Sequence, residues 1–288
     1  MPADSNPARM AFSAGGVTRN ILENLVRLEH RCVLLSSVGQ DAPADILRRD
    51  CEDARIDISR LRTDGILPTS TYINMLQADG DMYIAANDMR IHEKTPVSYY
   101  EENADLIRKA AALVTDANLT EAQLDTLTAI AENVPVFADP VSAAKCRRLL
   151  PFLGGMRLIK PNLMELEALS GMDCGTDAGM EKAAGKLLDT GLESIAVSLG
   201  ARGCWYADRS GLKIYRNLDC DLPLVNAGGA GDAFMAGITA GICEGLEPID
   251  ALDFALACGR ITTTSKSTVD PRLTREFVFR FLDKYRDE

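Results

Sequence analysis

Asp232 is an acid placed where an anion would bind. It closes the run Asn226-Ala227-Gly228-Gly229-Ala230-Gly231-Asp232 and leads into Ala233, Met235, Ala236 and Ile238, the first turn of a predicted amphipathic helix. Glycines let the backbone turn sharply and present successive N–H groups, and a helix's first turn adds further unpaired donors. The run therefore predicts an anion cradle. A carboxylate beside a phosphate is repelled unless it has a task, and receiving the proton of an attacking hydroxyl is such a task. Asp also serves well as a helix N-cap, and as a cap it would have no catalytic meaning. On these residues alone both readings stand.

Other polar residues gather where predicted elements end. Gly15-Gly16 precede Val17, Ile21, Leu22, Leu25 and Leu28, a helical spacing that carries Asn20 in its first turn. Residues 112–115, 134–138, 156–159 and 194–197 are short apolar runs suited to buried parallel strands, with a helix predicted over 120–132. The first two runs end at Asp116 with Asn118 and at Asp139 with Pro140. Ligands bind at the carboxyl ends of strands in doubly wound sheets, so these groups point to one rim. Asp116 and Asn118 are substrate candidates there, and Asp139 could act through a Mg²⁺-bound water. Asn162 and Glu165 follow the third run three residues apart, which puts both on one face of a helix's first turn. They could hold the hydration shell of Mg²⁺ and the phosphates, or they could simply cap the helix. The fourth run leads into Ser198-Leu199-Gly200-Ala201-Arg202-Gly203, either a nucleotide loop or a plain hairpin loop.

The remaining elements frame these positions. Residues 32–37 read as another buried strand and 44–54 as a helix. Residues 69–76 alternate like a strand, Ala78-Asp79-Gly80-Asp81 supplies a turn, and 82–86 returns as an antiparallel hairpin whose exit is Asn87-Asp88-Met89. Helices over 249–265 and 274–286 close the chain. With 288 residues, 47% hydrophobic and 25% charged, the composition is that of a globular protein. A net charge of −11 argues against nucleic acid as a partner. No apolar run reaches the roughly 18 residues of a membrane helix, and residues 1–10 lack a secretory pattern, so a cytoplasmic protein is expected. Eight scattered cysteines without a Cys-x-x-Cys pair, and two histidines, suggest neither a zinc site nor a disulfide framework.

Gly229-Ala230-Gly231-Asp232 followed by Ala236-Gly237 resembles the carboxy-terminal signature of the ribokinase-like (PfkB) sugar and nucleoside kinases, and the other motifs follow in that family's order. The resemblance implies an α/β fold: a ribokinase-like three-layer, doubly wound, mainly parallel sheet in one domain over 1–288, with a small β lid near 69–86. It implies Asp232 as general base and the Gly229, Ala230 and Gly231 backbone as the anion hole. Asn162, Glu165, Ser198, Gly200, Gly203, Leu256 and Gly259 would serve the nucleotide, with Glu165 reaching Mg²⁺ through water. Gly15, Gly16, Asn20, Thr71, Asn87, Asp116 and Asn118 would hold a nucleoside or sugar. ATP and Mg²⁺ are the implied cofactors. K⁺ is a further one, but its site would lack a charge, because Asn226-Ala227 stand where the family has Asp-Thr. The lid implies a possible homodimer contact. Family chains open with a strand carrying Asn-x-Asp, for which residues 1–12 leave no room, so the first strand and a substrate carboxylate are expected to be missing. Asp4-Ser5-Asn6-Pro7, Arg19-Asn20-Ile21, Asn87-Asp88-Met89, Asp139-Pro140-Val141-Ser142-Ala143 and Lys145-Cys146 resemble the branch of the family that phosphorylates the 5′-hydroxyl of pseudouridine.

Overall fold

The computed structural model describes residues 10, 12–76 and 82–285. Helix α1 (Val17–Arg27) starts directly after Gly16 and buries Ile21, Leu22 and Leu25. Strand β1 (Ser37–Val38), helix α2 (Ala42–Asp53) and strand β2 (Arg62–Thr63) follow, with β1 and β2 paired in parallel. The Asp41 carboxylate caps α2 through the Ala44 amide and also accepts from the Thr69 amide and hydroxyl. That fixes the root of the next unit, an antiparallel ribbon of β3 (Thr71–Leu76) and β4 (Met82–Asp88). The predicted turn, 78–81, lies outside the described residues. The ribbon packs chiefly on itself, and Ile73, Tyr83 and Ile84 are each more than half exposed. Short helices α3 (Arg90–Glu93), α4 (Val97–Glu102) and α5 (Ala104–Arg108) lead back into the body.

The main sheet is built from β5 (Leu113–Asp116), helix α6 (Glu121–Ile130), β6 (Val136–Asp139), β7 (Leu158–Ile159), helices α7 (Leu163–Ser170) and α8 (Asp177–Leu188), β8 (Ser194–Ser198), β9 (Cys204–Asp208) and β10 (Lys213–Arg216). A 3₁₀ stretch, Cys146–Gly155, joins β6 to β7. In space the order is β10-β9-β8-β7-β6-β5, parallel from β5 to β8 and antiparallel at β9 and β10. Helices α9 (Ala230–Cys243), α10 (Pro248–Thr263) and α11 (Arg275–Tyr285) complete the described chain. None of the described helices is long and apolar enough to cross a membrane.

Strand alternation explains the layering, because successive side chains point to opposite faces. Val136, Ala138, Ile159, Ile195, Val197, Trp205 and Ala207 face one core shared with α6, α7 and α8. Phe137, Leu158, Ala196, Cys204 and Tyr206 face the other, shared with α1, α9, α10 and α11. A sheet covered on both faces needs runs that are apolar throughout, as these are. The α9–α10 crossing is close: a Cβ on Gly237 would lie 2.7 Å from the Ala255 Cα. Asp253, fully buried on α10, pairs with Arg216 and so ties edge strand β10 to the helix layer.

The strand expected over 32–37 is reduced to a parallel bridge between Val33 and Asp57 and the two residues of β1. A strand needs a neighbour with free N–H and C=O groups, and among the described residues β5 is hydrogen-bonded only to β6. The expectation that no strand precedes Gly15 falls mostly on residues 1–9 and 11, and Asp4 to Pro7 with it, outside the described residues.

Candidate active site

The first turn of α9 differs from the capping reading. Gly229, at φ 82°, is the N-cap, and Asp232 lies three residues inside the helix. Its carboxylate makes no capping bond. It turns instead to α1, where Asn20 Nδ2 donates to Asp232 Oδ2 at 2.9 Å. Gly takes the cap because the left-handed backbone is required there: a Cβ on Gly229 would lie 1.8 Å from the Thr268 carbonyl oxygen. The Ala230 amide reaches back to the Ala227 carbonyl at 3.4 Å and the Gly228 amide bonds Asn226 Oδ1 at 2.8 Å. The Gly231 and Asp232 amides meet no acceptor among the described residues, so they stand as free donors at a helix N-terminus.

Lys160, at the end of β7, enters this space from the sheet. Its Nζ would lie 3.3 Å from a Cβ on Gly231 and is 3.2 Å from Asp139 Oδ2, with both ionic side chains buried. The other Asp139 oxygen accepts from the Val141 amide at 2.8 Å. Val141 itself sits at φ 66°, a conformation that costs a β-branched residue energy. Burial alone would lower the Lys160 pKa, but Asp139, Glu165 and Asp232 around it hold it above the ordinary value, so it stays an ammonium. Burial pushes the Asp232 carboxyl up to about 7. The Asn20 bond and Lys160 oppose the rise, while Asp139 and Asp116 add to it.

Asn162 and Glu165 form the reciprocal capping box of α7: the Glu165 amide donates to Asn162 Oδ1 and the Asn162 amide to Glu165 Oε2, both at 2.9 Å. One oxygen of Glu165 and the Asn162 Nδ2 remain for a ligand. Burial raises the Glu165 pKa, against the Asn162 bond and Lys160. A bridge between Asn162 and Ser198 brings the end of β8 alongside, and Gly200 (φ 62°) and Gly203 (φ 89°) shape the turn beyond. Leu256 is buried in the core shared with α9, and Gly259 lies where a Cβ would be 3.3 Å from the Ala230 carbonyl oxygen. Gly259 therefore lies against the first turn of α9, and Leu256 belongs to the core that α9 shares with α10. Among the described residues no three or more His, Cys, Asp or Glu side chains cluster as a metal cage. The free oxygen of Glu165, beside the free donors at the mouth of α9, is the kind of group that would meet a Mg²⁺ held mainly by phosphates and water.

On the other side of α1, Asp116 Oδ2 accepts from the Thr18 hydroxyl at 2.7 Å and its Oδ1 from the Asn118 amide at 2.8 Å. Gly16, at φ 107°, opens α1 beside Thr18, and Gly15 faces open space. Thr71 and Asn87 lie on the ribbon, exposed, with Thr71 Oγ1 bonded to the Thr69 carbonyl at 3.2 Å. The sequence reading missed Thr18 and Lys160. Lys160 had a signal, a charged residue closing an apolar run, but its partners are distant in sequence.

The sequence matches the pfkB family carbohydrate kinase over residues 2–275. It is 33% identical over 272 residues to the pseudouridine kinase of Escherichia coli, covering 94% of this chain and 87% of that protein. It is 32% identical over 273 residues to an uncharacterized sugar kinase of the same organism, YeiI, covering 94% and 75%. The ribokinase of Arabidopsis thaliana, solved with ribose and ATP, superposes with a TM-score of 0.89 at 21% identity over 98% of this chain and 92% of that one. The fold is ribokinase-like, as the motif order implied.

Proposed function

This chain belongs to the pfkB family of carbohydrate kinases, phosphotransferases with an alcohol as acceptor, and on that footing we propose that it transfers the γ-phosphoryl group of ATP to the 5′-hydroxyl of pseudouridine. The observation that carries the reading is the placement of Asp232: a helix-mouth carboxylate held by Asn20, next to the free Gly231 and Asp232 amides and the Lys160 ammonium. Asp232 accepts the proton of the attacking hydroxyl, and the amides receive the charge of the transferring group without reorganising. Mg²⁺, when bound with ATP near Glu165, would neutralise phosphate charge. Asn20 keeps the carboxylate aimed, and Lys160 keeps it from being neutralised at still higher pH.

A coupled assay with ATP and a panel of pseudouridine, uridine, ribose and fructose tests the reading. Pseudouridine is expected to give the highest kcat/KM. Preference for ribose or fructose would assign another sugar kinase of the family, and nucleoside binding without ADP release would make the chain a binding protein with little activity. Because Asp232 must be ionised to accept a proton, kcat/KM is expected to rise with pH, about tenfold per unit below pH 7, and to level above about pH 7. A profile flat from pH 5.5 to 8.5 would remove Asp232 as the base.

The exposed faces of the β3–β4 ribbon support a homodimer through the lid. Replacing Ile73 and Ile84 together by Asp is expected to shift the sedimentation coefficient from dimer to monomer. A parent protein that sediments as a monomer at tens of micromolar would dispose of this contact. On the same reading, 1–288 is a single kinase domain.

A further inference from the structure

Asn118 has almost no polar capacity left to spend. Its amide N–H donates to Asp116 Oδ1 at 2.8 Å, and its carbonyl oxygen accepts from Arg148 Nη1 at 3.2 Å. Its side-chain oxygen accepts from Lys145 Nζ at 2.6 Å. An ammonium has three donors and no acceptor, so the atom facing Lys145 must be the oxygen, and the orientation of the carboxamide is settled by chemistry. What remains is Nδ2, two N–H donors without a hydrogen bond to any described residue. Asn118 is half-buried just past the carboxyl end of β5, on the rim where the site lies.

The neighbours give this donor a direction along the site. The charge of Asp116 bears on Asp232 on one side and on His92 on the other, and the charge of Lys145 also bears on His92. His92 Nε2 lies 2.9 Å from Ser70 Oγ, the residue before β3. The series Asp232, Asp116, Asn118 with Lys145, His92 and Ser70 thus runs from the reaction centre to the root of the ribbon. An acceptor with its reacting hydroxyl at Asp232 and its length laid along this series would turn its far end towards Asn118. In a nucleoside the end away from the 5′-hydroxyl is the base, which a free pentose lacks.

We infer that Asn118, held in one orientation by Lys145, determines specificity by donating a hydrogen bond to a ring carbonyl of the acceptor's base. Lys145 is a positioning residue that acts through Asn118. The inference rests on the nucleoside-kinase reading above and adds to it a chemical class: bases with a carbonyl acceptor are selected over acceptors with no base. Fixing a donor in advance avoids the cost of ordering it on binding, which is how one hydrogen bond becomes discriminating.

The test compares kcat/KM for pseudouridine and for ribose in the parent, Asn118→Asp and Lys145→Met. Asn118→Asp retains a partner for Lys145 but has no N–H to donate, so the pseudouridine-to-ribose ratio is expected to fall at least tenfold, chiefly through KM for pseudouridine. Lys145→Met frees the amide to turn over and is expected to lower the ratio by a smaller factor. A ratio within twofold of the parent's in Asn118→Asp, with both substrates losing equally, would overturn the inference while leaving the kinase reading intact. A parent that phosphorylates neither acceptor would sink the nucleoside-kinase reading, and the inference with it. Melting temperatures of both variants within a few degrees of the parent's show that the readout is not loss of fold, and a binding titration of pseudouridine replaces turnover for any variant too slow to assay.

Discussion

Asp232→Asn is expected to lower kcat by roughly a hundred- to ten-thousandfold, the range a positioned general base contributes. That corresponds to about 3–5 kcal/mol of barrier. The amide keeps the size of the side chain and can still accept from Asn20, so the substitution isolates the proton-accepting role. Stability should move the other way or not at all. The Asp232 pKa is raised from 3.8 to about 7 in the folded chain, so the folded state holds this proton to higher pH than the unfolded state does. Its stabilising contribution is present below pH 3.8 and is lost as pH rises through 7. A neutral amide escapes that loss, and the variant's melting temperature at pH 8 is expected to equal or exceed the parent's. Retained kcat in this variant would end the general-base assignment, and a melting point that falls together with activity would make the residue structural.

Gly229→Ala is expected to be the most damaging change of a single methyl group. The backbone there has φ 82°, which costs an L-residue about 1–2 kcal/mol. The new Cβ would also fall 1.8 Å from the Thr268 carbonyl oxygen and 2.8 Å from its Cγ2. Either the loop that ends at Gly229 or the one that carries Thr268 must move. Because α9 begins at the next residue, the free amides move with it. Losing well-placed donors of this kind costs about a hundredfold or more in kcat, and a melting temperature several degrees lower is expected beside it. Gly245→Ala is the control: its φ is 76°, but a Cβ there meets nothing within 4 Å. It should show the backbone cost without the loss of activity. Equal losses in the two variants would mean that strain, and not the cradle, governs the effect.

What could be read in advance was what is local. The runs at β5 to β8 are short, apolar throughout their interiors and flanked by polar turns, so strand type and the rim of polar ends followed from length and punctuation. The glycine-rich turn before α9 was equally plain. Which residue caps that helix was not, because Asp outranks Gly by preference and only the close approach of Thr268 makes glycine obligatory. Asn20 and Asp232 are 212 residues apart in sequence, and no spacing rule connects them. The same holds for Lys160 with Asp139 and for Lys145 with Asn118, contacts created by strand order. Residues 32–37 had a strand's composition and still formed only a bridge and two paired residues, since pairing depends on a neighbour that composition does not specify.

Among the described residues the β3–β4 ribbon packs chiefly on itself, and two strands by themselves are marginal in water. Any ligand or second chain that settles on Ile73 and Ile84 therefore completes a small apolar layer at the moment it binds. Calorimetry of that event should register a distinctly negative heat-capacity change, so that the measured enthalpy grows more favourable with each degree of warming.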